Sequence, residues 1–312
     1  MKKINKDFFE KILLLGGLIL IAYFINFNAS GSNIPTVDVH EHIVLNESET
    51  VKLIEIMDEL KISKMVLLDT PSATFGKNNE FEDYDQNVQI QLKMKAQYPD
   101  RFLVLYTYPP SDKNGPEKIE EYFKQGIDGL KFYNGVMPSL GPINSSEMYA
   151  AYQKAREFNL SVIMHAEALD EEQFTEFEQV LNDFPDVIFV CPHLCGAAEN
   201  LNVLNSMLVR HKNLFVDSGP WHRVGIFAIN DTEAFRTFFI NHSDRIMFAT
   251  DIVIDSVNKV YVEKWLNCDR DLLEKINFVC FKEKGWLKGL HLPEETLKNI
   301  YQITPKKVYK NI

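Results

Sequence analysis

The sequence is short of cysteine, of positive charge and of long apolar runs. Four cysteines among 312 residues exclude a scaffold held together by many disulfides. The 33 basic residues are outnumbered by 44 acidic ones, and the net charge of −11 argues against binding to the phosphate backbone of nucleic acids. The hydrophobic fraction of 46% and the charged fraction of 25% are typical of globular proteins and speak against a disordered chain or a polytopic membrane protein.

The one long apolar stretch lies near the N-terminus. Residues 12–25 contain no charged residue, follow four lysines and precede a polar stretch that reaches residue 33. The stretch is shorter than the roughly 20 residues that span a bilayer. This pattern resembles a secretory signal, and an uncleaved membrane anchor fits it equally well, whereas a buried N-terminal helix fits it less well. The sequence therefore predicts a signal peptide or membrane anchor with a linker over residues 1–33, whose partner is the membrane or the export machinery.

If the lysines of this segment stay in the cytoplasm, the remaining chain lies outside it, in the periplasm or the extracellular space. That remaining chain alternates short apolar runs with amphipathic stretches. Eight runs lack polar alternation, as strands buried on both faces of a parallel sheet do: residues 36–42, 64–69, 102–108, 129–133, 161–167, 187–194, 214–219 and 246–251. Eight strand–helix units of about 30 residues each predict one α/β domain over residues 34–312, a (β/α)8 TIM barrel.

Histidines and an aspartate fall at the ends of these predicted strands, where barrel enzymes carry their active sites. His40 and His42 are two residues apart, so in a strand both side chains point the same way. His165 and His193 end the fifth and sixth strands, and Asp251 ends the eighth. Several imidazoles with one carboxylate are typical of a divalent metal site that activates water, and the sequence predicts such a site here.

The segments around these residues resemble the amidohydrolase superfamily of metal-dependent barrel enzymes. Its pattern of His-x-His, a strand-four Lys, two further His and a final Asp is matched by His40, His42, Lys131, His165, His193 and Asp251. The segments DVHEH at 38–42, PHLCG at 192–196 and RIMFATD at 245–251 are closer to the amidohydrolase-related (amidohydrolase 2) branch. That branch includes metal-dependent decarboxylases of aromatic acids. The C-terminal residues 300–309 resemble its terminal helix, and the resemblance spans about residues 36–310.

The resemblance implies roles for these residues. His40, His42 and His165 would bind a divalent metal, with zinc expected and one or two ions allowed, and Asp251 would complete the site. Asp251 would hold the metal-activated water, take its proton and pass it to the leaving group. His193 would bind a second metal or polarise the carbonyl of the substrate.

Lys131 has two alternative roles by resemblance. It could react with carbon dioxide to form a carbamate that bridges two metals, or stay cationic and face a substrate carboxylate, which we favour. A lysine whose ammonium group reaches solvent is the third interpretation. Weaker candidates for substrate binding are Arg223, His222, Tyr133 and Glu167.

Cys191 and Cys195 flank His193. They could pair in an exported protein, or they could be small buried apolar residues, and the second interpretation is favoured.

The sequence predicts a metal-dependent hydrolase of a small-molecule ester, amide or lactone, in which Asp251 is the general acid and base. The alternative on the same scaffold is a metal-dependent decarboxylase of an aromatic or unsaturated carboxylic acid. An alternative of a different class is a catalytically silent, membrane-tethered binding protein. The expected partner is a small-molecule substrate, and a homo-oligomer is left open.

Overall fold

A computed structural model describes residues 32–43, 49–69, 83–254 and 257–312 of the chain. The predicted signal peptide or anchor of residues 1–33 lies almost wholly outside the described residues and stays a prediction. Within these ranges, no helix combines the length and the apolar character that crossing a membrane requires. The contacts within the chain gather residues Ile34–Ile312 into one unit.

Nine parallel strands form one sheet, in the order β8-β7-β6-β5-β4-β3-β2-β1-β9. Strands β1 to β7 lie where the apolar runs predict them, although several end earlier. Their bounds, with those of β8 and β9, are β1 Thr36–Ile43, β2 Ile62–Leu68, β3 Phe102–Thr107, β4 Gly129–Phe132, β5 Ser161–Met164, β6 Phe189–Cys191, β7 Leu214–Asp217, β8 Ile246–Met247 and β9 Ile252–Ile254.

The sheet curls back on itself because its two outermost strands are consecutive in the chain. Only residues 248–251 separate β8 from β9, and they bond to β1: the backbone N–H of Val39 donates to Phe248 (3.1 Å), and that of Asp251 donates to His40 (3.0 Å). The fold is therefore TIM-barrel-like, as predicted. Of the eighth strand predicted over 246–251, only Ile246–Met247 forms a strand, and β9 begins after this run, at Ile252. Asp251, between them, has a left-handed backbone conformation with φ +52°.

In the part of the chain that the structure describes, eight longer helices alternate with the strands. Side-chain caps fix the start of some of them: the Oγ of Ser145 accepts from the N–H of Met148, and the carboxylates of Asp170 and Asp231 cap two others. The helices are α1 Thr50–Glu59, α2 Tyr84–Gln97, α3 Gly115–Gln125, α4 Ser146–Phe158, α5 Glu171–Asp183, α6 Leu201–Arg210, α7 Thr232–Asn241 and α8 Lys259–Glu274.

Beyond the barrel strands, the chain adds a short antiparallel hairpin, β10 Asn277–Phe278 and β11 Leu287–Lys288, and a run of C-terminal helical turns from Glu294 to Val308. A disulfide between Cys268 and Cys280 joins α8 to the hairpin segment.

The core has two parts. One fills the space between strands and helices, and a smaller one, with Val39, Leu68, Leu105 and Ile163, lies on the opposite face of the strands. This packing fixes the strand ends, from which the candidate site is built.

Candidate metal centre

Two histidines and an aspartate converge at one edge of the barrel. The register between β1 and β2 shifts between Asp38 and Glu41, a stretch that includes His40, and His40 and His42 approach the same carboxylate. The Nε2 atoms of His40 and His42 are 3.2 Å apart, and they lie 3.2 Å and 3.0 Å from Oδ1 of Asp251. The expectation that the two histidines share one face is met.

Hydrogen bonds on the far side of each ring fix which nitrogen carries the proton. Nδ1 of His40 lies 2.9 Å from Oδ2 of Asp217, and Nδ1 of His42 lies 3.2 Å from the backbone oxygen of Asp69. Both partners are acceptors, so Nδ1 is the protonated nitrogen in each neutral ring. The two Nε2 atoms therefore direct lone pairs toward Asp251.

His193 approaches the same aspartate from the sixth strand. Its Nδ1 donates to the backbone oxygen of Gly219 (2.7 Å), its backbone N–H donates to Asp217 (2.8 Å), and its Nε2 lies 3.6 Å from Oδ2 of Asp251. The donor atoms of His40, His193 and Asp251 all fall within 4.8 Å of one another. Each carboxylate oxygen of Asp251 thus faces imidazole nitrogen.

The electrostatics of this cluster favour a bound cation. Burial lowers the pKa of His193 to about 3 and the pKa of His40 well below its usual range, so both rings are neutral. Burial alone would raise the pKa of Asp251, whereas a proton held by the neighbouring His40, His193 or His42 lowers it, and the balance lies well below its usual range. Nitrogen lone pairs and a carboxylate that face one another at 3.0 to 3.2 Å repel unless a positive charge lies between them. The residues present therefore fit a divalent metal.

His193 stands on an unusual turn. His193, Leu194 and Cys195 all have left-handed backbone conformations, with φ of 58°, 51° and 57°, and Gly196 follows with φ 64°. The turn brings the Cα atoms of Cys191 and Cys195 to 4.8 Å, and the two cysteines form a disulfide. The interpretation of these cysteines as unpaired apolar residues is wrong, although both are buried as expected. The disulfide closes the turn on which His193 stands.

Lys131 points its amino group into the barrel. The side chain is fully buried, Nζ lies 4.5 Å from the centre of the Tyr133 ring, and it has no hydrogen-bond partner among the described residues. Burial lowers its pKa to about 8, although Asp251 and Asp217 act in the opposite direction. The interpretation of a lysine reaching solvent does not hold.

His165 is held differently from the other histidines. Its Nε2 accepts from Nη1 of Arg223 at 2.8 Å, and the other terminal nitrogen of Arg223 pairs with Glu167. The His165 ring lies 4.8 Å from that of His193, so it belongs to the same cluster. Its Nε2 lone pair is used by Arg223, and binding a metal through this atom requires Arg223 to move away.

Of the two remaining candidates for substrate binding, one lies beside the cluster and the other faces away from it. The hydroxyl of Tyr133 donates to the backbone oxygen of Asp69 and lies 3.4 Å from Nδ1 of His42, so Tyr133 supports the His42 ring on the side away from Asp251. His222 is exposed, and its ring faces Trp265 at 6.3 Å instead of the cluster.

Sequence reasoning missed Asp217 as a site residue. This aspartate is fully buried at the end of β7, and it accepts both from Nδ1 of His40 and from the backbone N–H of His193. Burial raises its pKa to about 6, so it is ionised at neutral pH. Its place at a strand end, parallel to that of Asp251, is the signal that could have found it.

Sequence reasoning also missed a buried pair of acids, Asp38 and Glu41. The hydroxyl of Thr250 approaches carboxylate oxygens of both Asp38, at 2.9 Å, and Glu41. A hydroxyl has one proton, so one of the two acids must itself be protonated to satisfy both contacts. Burial raises the pKa of Asp38 to about 6 and that of Glu41 well above its usual range, in agreement with this arrangement. The pair anchors Thr250, the neighbour of Asp251.

Comparisons with known proteins point to one family. Residues 37–310 match the Amidohydro_2 family of amidohydrolases. A search of the curated proteins gives no match. Among solved structures, the chain is similar to a probable 2-pyrone-4,6-dicarboxylic acid hydrolase from Acinetobacter baumannii with citric acid bound. That similarity has 14% identity and a TM-score of 0.60, and it covers 88% of this chain and 99% of the other.

Two further structures show the same fold. A 2,6-dihydroxybenzoate decarboxylase bound to 2,6-dihydroxybenzoate has 13% identity and a TM-score of 0.58, with 88% of this chain and 99% of the other covered. A 4-oxalomesaconate hydratase from Rhodopseudomonas palustris has 16% identity and a TM-score of 0.57, with 88% and 96% covered. The family match covers most of the chain and includes every histidine and aspartate of the cluster. The chain belongs to the amidohydrolase family.

Proposed function

We propose that this protein is a metal-dependent hydrolase that acts on a small-molecule ester, amide or lactone, with Asp251 as the general acid and base. The observation that carries the proposal is the convergence of two unprotonated nitrogens, from His40 and His42, on the ionised Asp251. Sites of this composition are built for a divalent cation, and zinc is the metal that we expect.

A divalent metal, when bound there, lowers the pKa of a coordinated water molecule toward neutrality. The residues of the chain supply the proton transfer and the contacts to the substrate. Asp251 is anionic and faces both the histidine pair and His193, so it can accept a proton from water and return it to a leaving group. His193 is neutral and fixed at Nδ1, which leaves its Nε2 for the site.

A second candidate reaction is decarboxylation of an aromatic or unsaturated carboxylic acid. It is supported by Lys131, whose buried amino group has no hydrogen-bond partner among the described residues, and by Arg223, which lies against His165. Both groups could hold a carboxylate. The structural neighbours include a decarboxylase as well as a hydrolase, so they support either reaction.

The test is to measure bound metal by elemental analysis, and then turnover of esters, lactones, amides and aromatic acids. Acid release supports hydrolysis, and carbon dioxide release supports decarboxylation. His40→Ala should lose metal and activity together, and Asp251→Asn should lower turnover by about 100-fold or more.

His242→Ala is the matched control, because this histidine lies on the surface against Asn205. Unchanged metal content and activity in His40→Ala would refute the site. A protein that binds metal through His40 but turns over no substrate class would instead be a silent binding protein.

We also propose that the barrel lies outside the cytoplasm, in the periplasm or extracellular space, attached to or released from a membrane. The pairing of all four cysteines supports this location, because disulfides persist mainly in oxidising compartments. Fractionation of the producing cell, with detection of the chain in the membrane and outside it, tests the proposal.

A further inference from the structure

Exposed apolar side chains are concentrated in one stretch of the chain, which comprises α8 and the β10–β11 hairpin segment. Among the described residues, twelve large hydrophobic side chains are exposed, and five of them lie between residues 260 and 286. They are Val260, which is 74% accessible, Trp286, which is 62% accessible, and Tyr261, Ile276 and Val279. The surface of a soluble protein seldom exposes several large apolar side chains close together unless they bind a partner. We call this set, with Trp265 and Phe281, the α8–hairpin face.

Ring contacts make this face continuous from the helix to the hairpin segment. The Tyr261 and Trp265 rings lie 6.3 Å apart, and the Trp265 and Phe281 rings lie 5.5 Å apart. The disulfide from Cys268 to Cys280 ties the helix to the same segment. These contacts hold α8 and the hairpin segment together.

The hairpin segment carries an excess of positive charge, although the whole chain is strongly negative and α8 contains three basic and four acidic residues. Residues 275–288 contain four lysines and one glutamate, whereas the chain carries a net charge of −11. Lys264 extends the basic character onto the helix, with Nζ 4.6 Å from the centre of the Phe281 ring and 5.7 Å from that of Trp265. Lys284 and Lys288 are exposed on either side of Trp286.

We propose that the α8–hairpin face docks on the surface of an anionic phospholipid bilayer. Tryptophan and tyrosine partition to the boundary between headgroups and acyl chains, where aliphatic side chains also bury. Lysines beside them are attracted to anionic headgroups. A second copy of the chain fits less well, since a symmetric contact through this face sets lysines against lysines. This docking is independent of the proposed reaction and adds to any tether at residues 1–33.

The experiment uses the intrinsic fluorescence of the full chain with vesicles of phosphatidylcholine, with and without phosphatidylglycerol. The acyl chains carry bromine, which quenches tryptophan that enters the bilayer. The chain has three tryptophans, and Trp221 is buried inside the protein, so it serves as an internal reference. We expect quenching that requires phosphatidylglycerol and that is strongly reduced in Trp286→Phe, because Trp286 is the more exposed of the two tryptophans on this face.

Charge variants test the second element of the proposal. Lys284→Glu with Lys288→Glu should abolish the dependence on phosphatidylglycerol. Lys124→Glu, an exposed lysine on α3, is the matched control and should behave as the wild type. Absence of vesicle binding overturns the proposal. So does a vesicle-bound protein whose tryptophans are not quenched, because another segment then makes the contact.

Discussion

Replacing Lys131 by methionine should make the protein more stable while impairing its function. The amino group is fully buried and has no hydrogen-bond partner among the described residues. An unpaired ammonium in such a place is costly, and methionine fills a similar volume without a charge. The prediction therefore separates stability from activity at one position.

The magnitude follows from the shifted pKa of Lys131. Burial lowers this pKa from 10.5 to about 8, and the difference corresponds to about 3 kcal/mol of unfolding free energy. The folded-state pKa is the lower of the two, so the penalty is fully present below about pH 8 and disappears as the pH rises toward about 10.5. Lys131→Met should thus gain stability at neutral pH and lose that advantage in alkali.

The assay is urea unfolding of the metal-free wild type and of Lys131→Met, from neutral pH to about pH 10. Comparing the two proteins at each pH cancels the titration of groups they share. Lys124→Met, at an exposed position on α3, should change stability by less than about 0.5 kcal/mol. The reasoning is refuted if Lys131→Met is less stable at neutral pH, or if its advantage does not change with pH.

Three further variants test how the site is held. Asp217→Asn should weaken metal binding by about 10- to 100-fold, because His40 loses its anionic acceptor, and equal affinity in a competition titration would contradict this role. Arg223→Met should raise the pKa of His165, because a neighbouring positive charge is removed, and an NMR titration of the metal-free protein checks this. Gly196→Ala should cost more than the roughly 1–2 kcal/mol of a left-handed alanine, because its Cβ would lie 3.1 Å from the Cα of Glu167 and would displace the carboxylate that pairs with Arg223. Gly285→Ala, with a similar φ and open space, is its control in urea unfolding.

The sequence predicts the barrel because its strands are buried on both faces and therefore appear as uniform apolar runs. It also predicts the approach of His40 and His42, since alternation along a strand is local geometry. Asp251 falls where expected for the same reason, at the end of an apolar run. These features depend on neighbours in the chain or on the repeat of the fold.

Features that depend on distant partners are not visible in the sequence. The break between β8 and β9 arises from contacts of residues 248–251 with β1, some 200 residues earlier in the chain. Arg223 reaches His165 only after the fold brings the two loops together. The disulfide around His193 requires a turn of three left-handed residues, which no propensity of these residue types favours.

The bridge between Cys191 and Cys195 has a practical consequence for preparing the protein. It spans four positions, whereas that of Cys268 and Cys280 spans twelve, and the entropy that a cross-link removes from the unfolded chain grows with loop length. Material in which only the Cys191–Cys195 bond is reduced therefore loses less stability than material that lacks the Cys268–Cys280 bond, although the turn that carries His193 is no longer closed. Counting free thiols, and not measuring thermal stability, is the quality control that distinguishes a competent batch from an incompetent one.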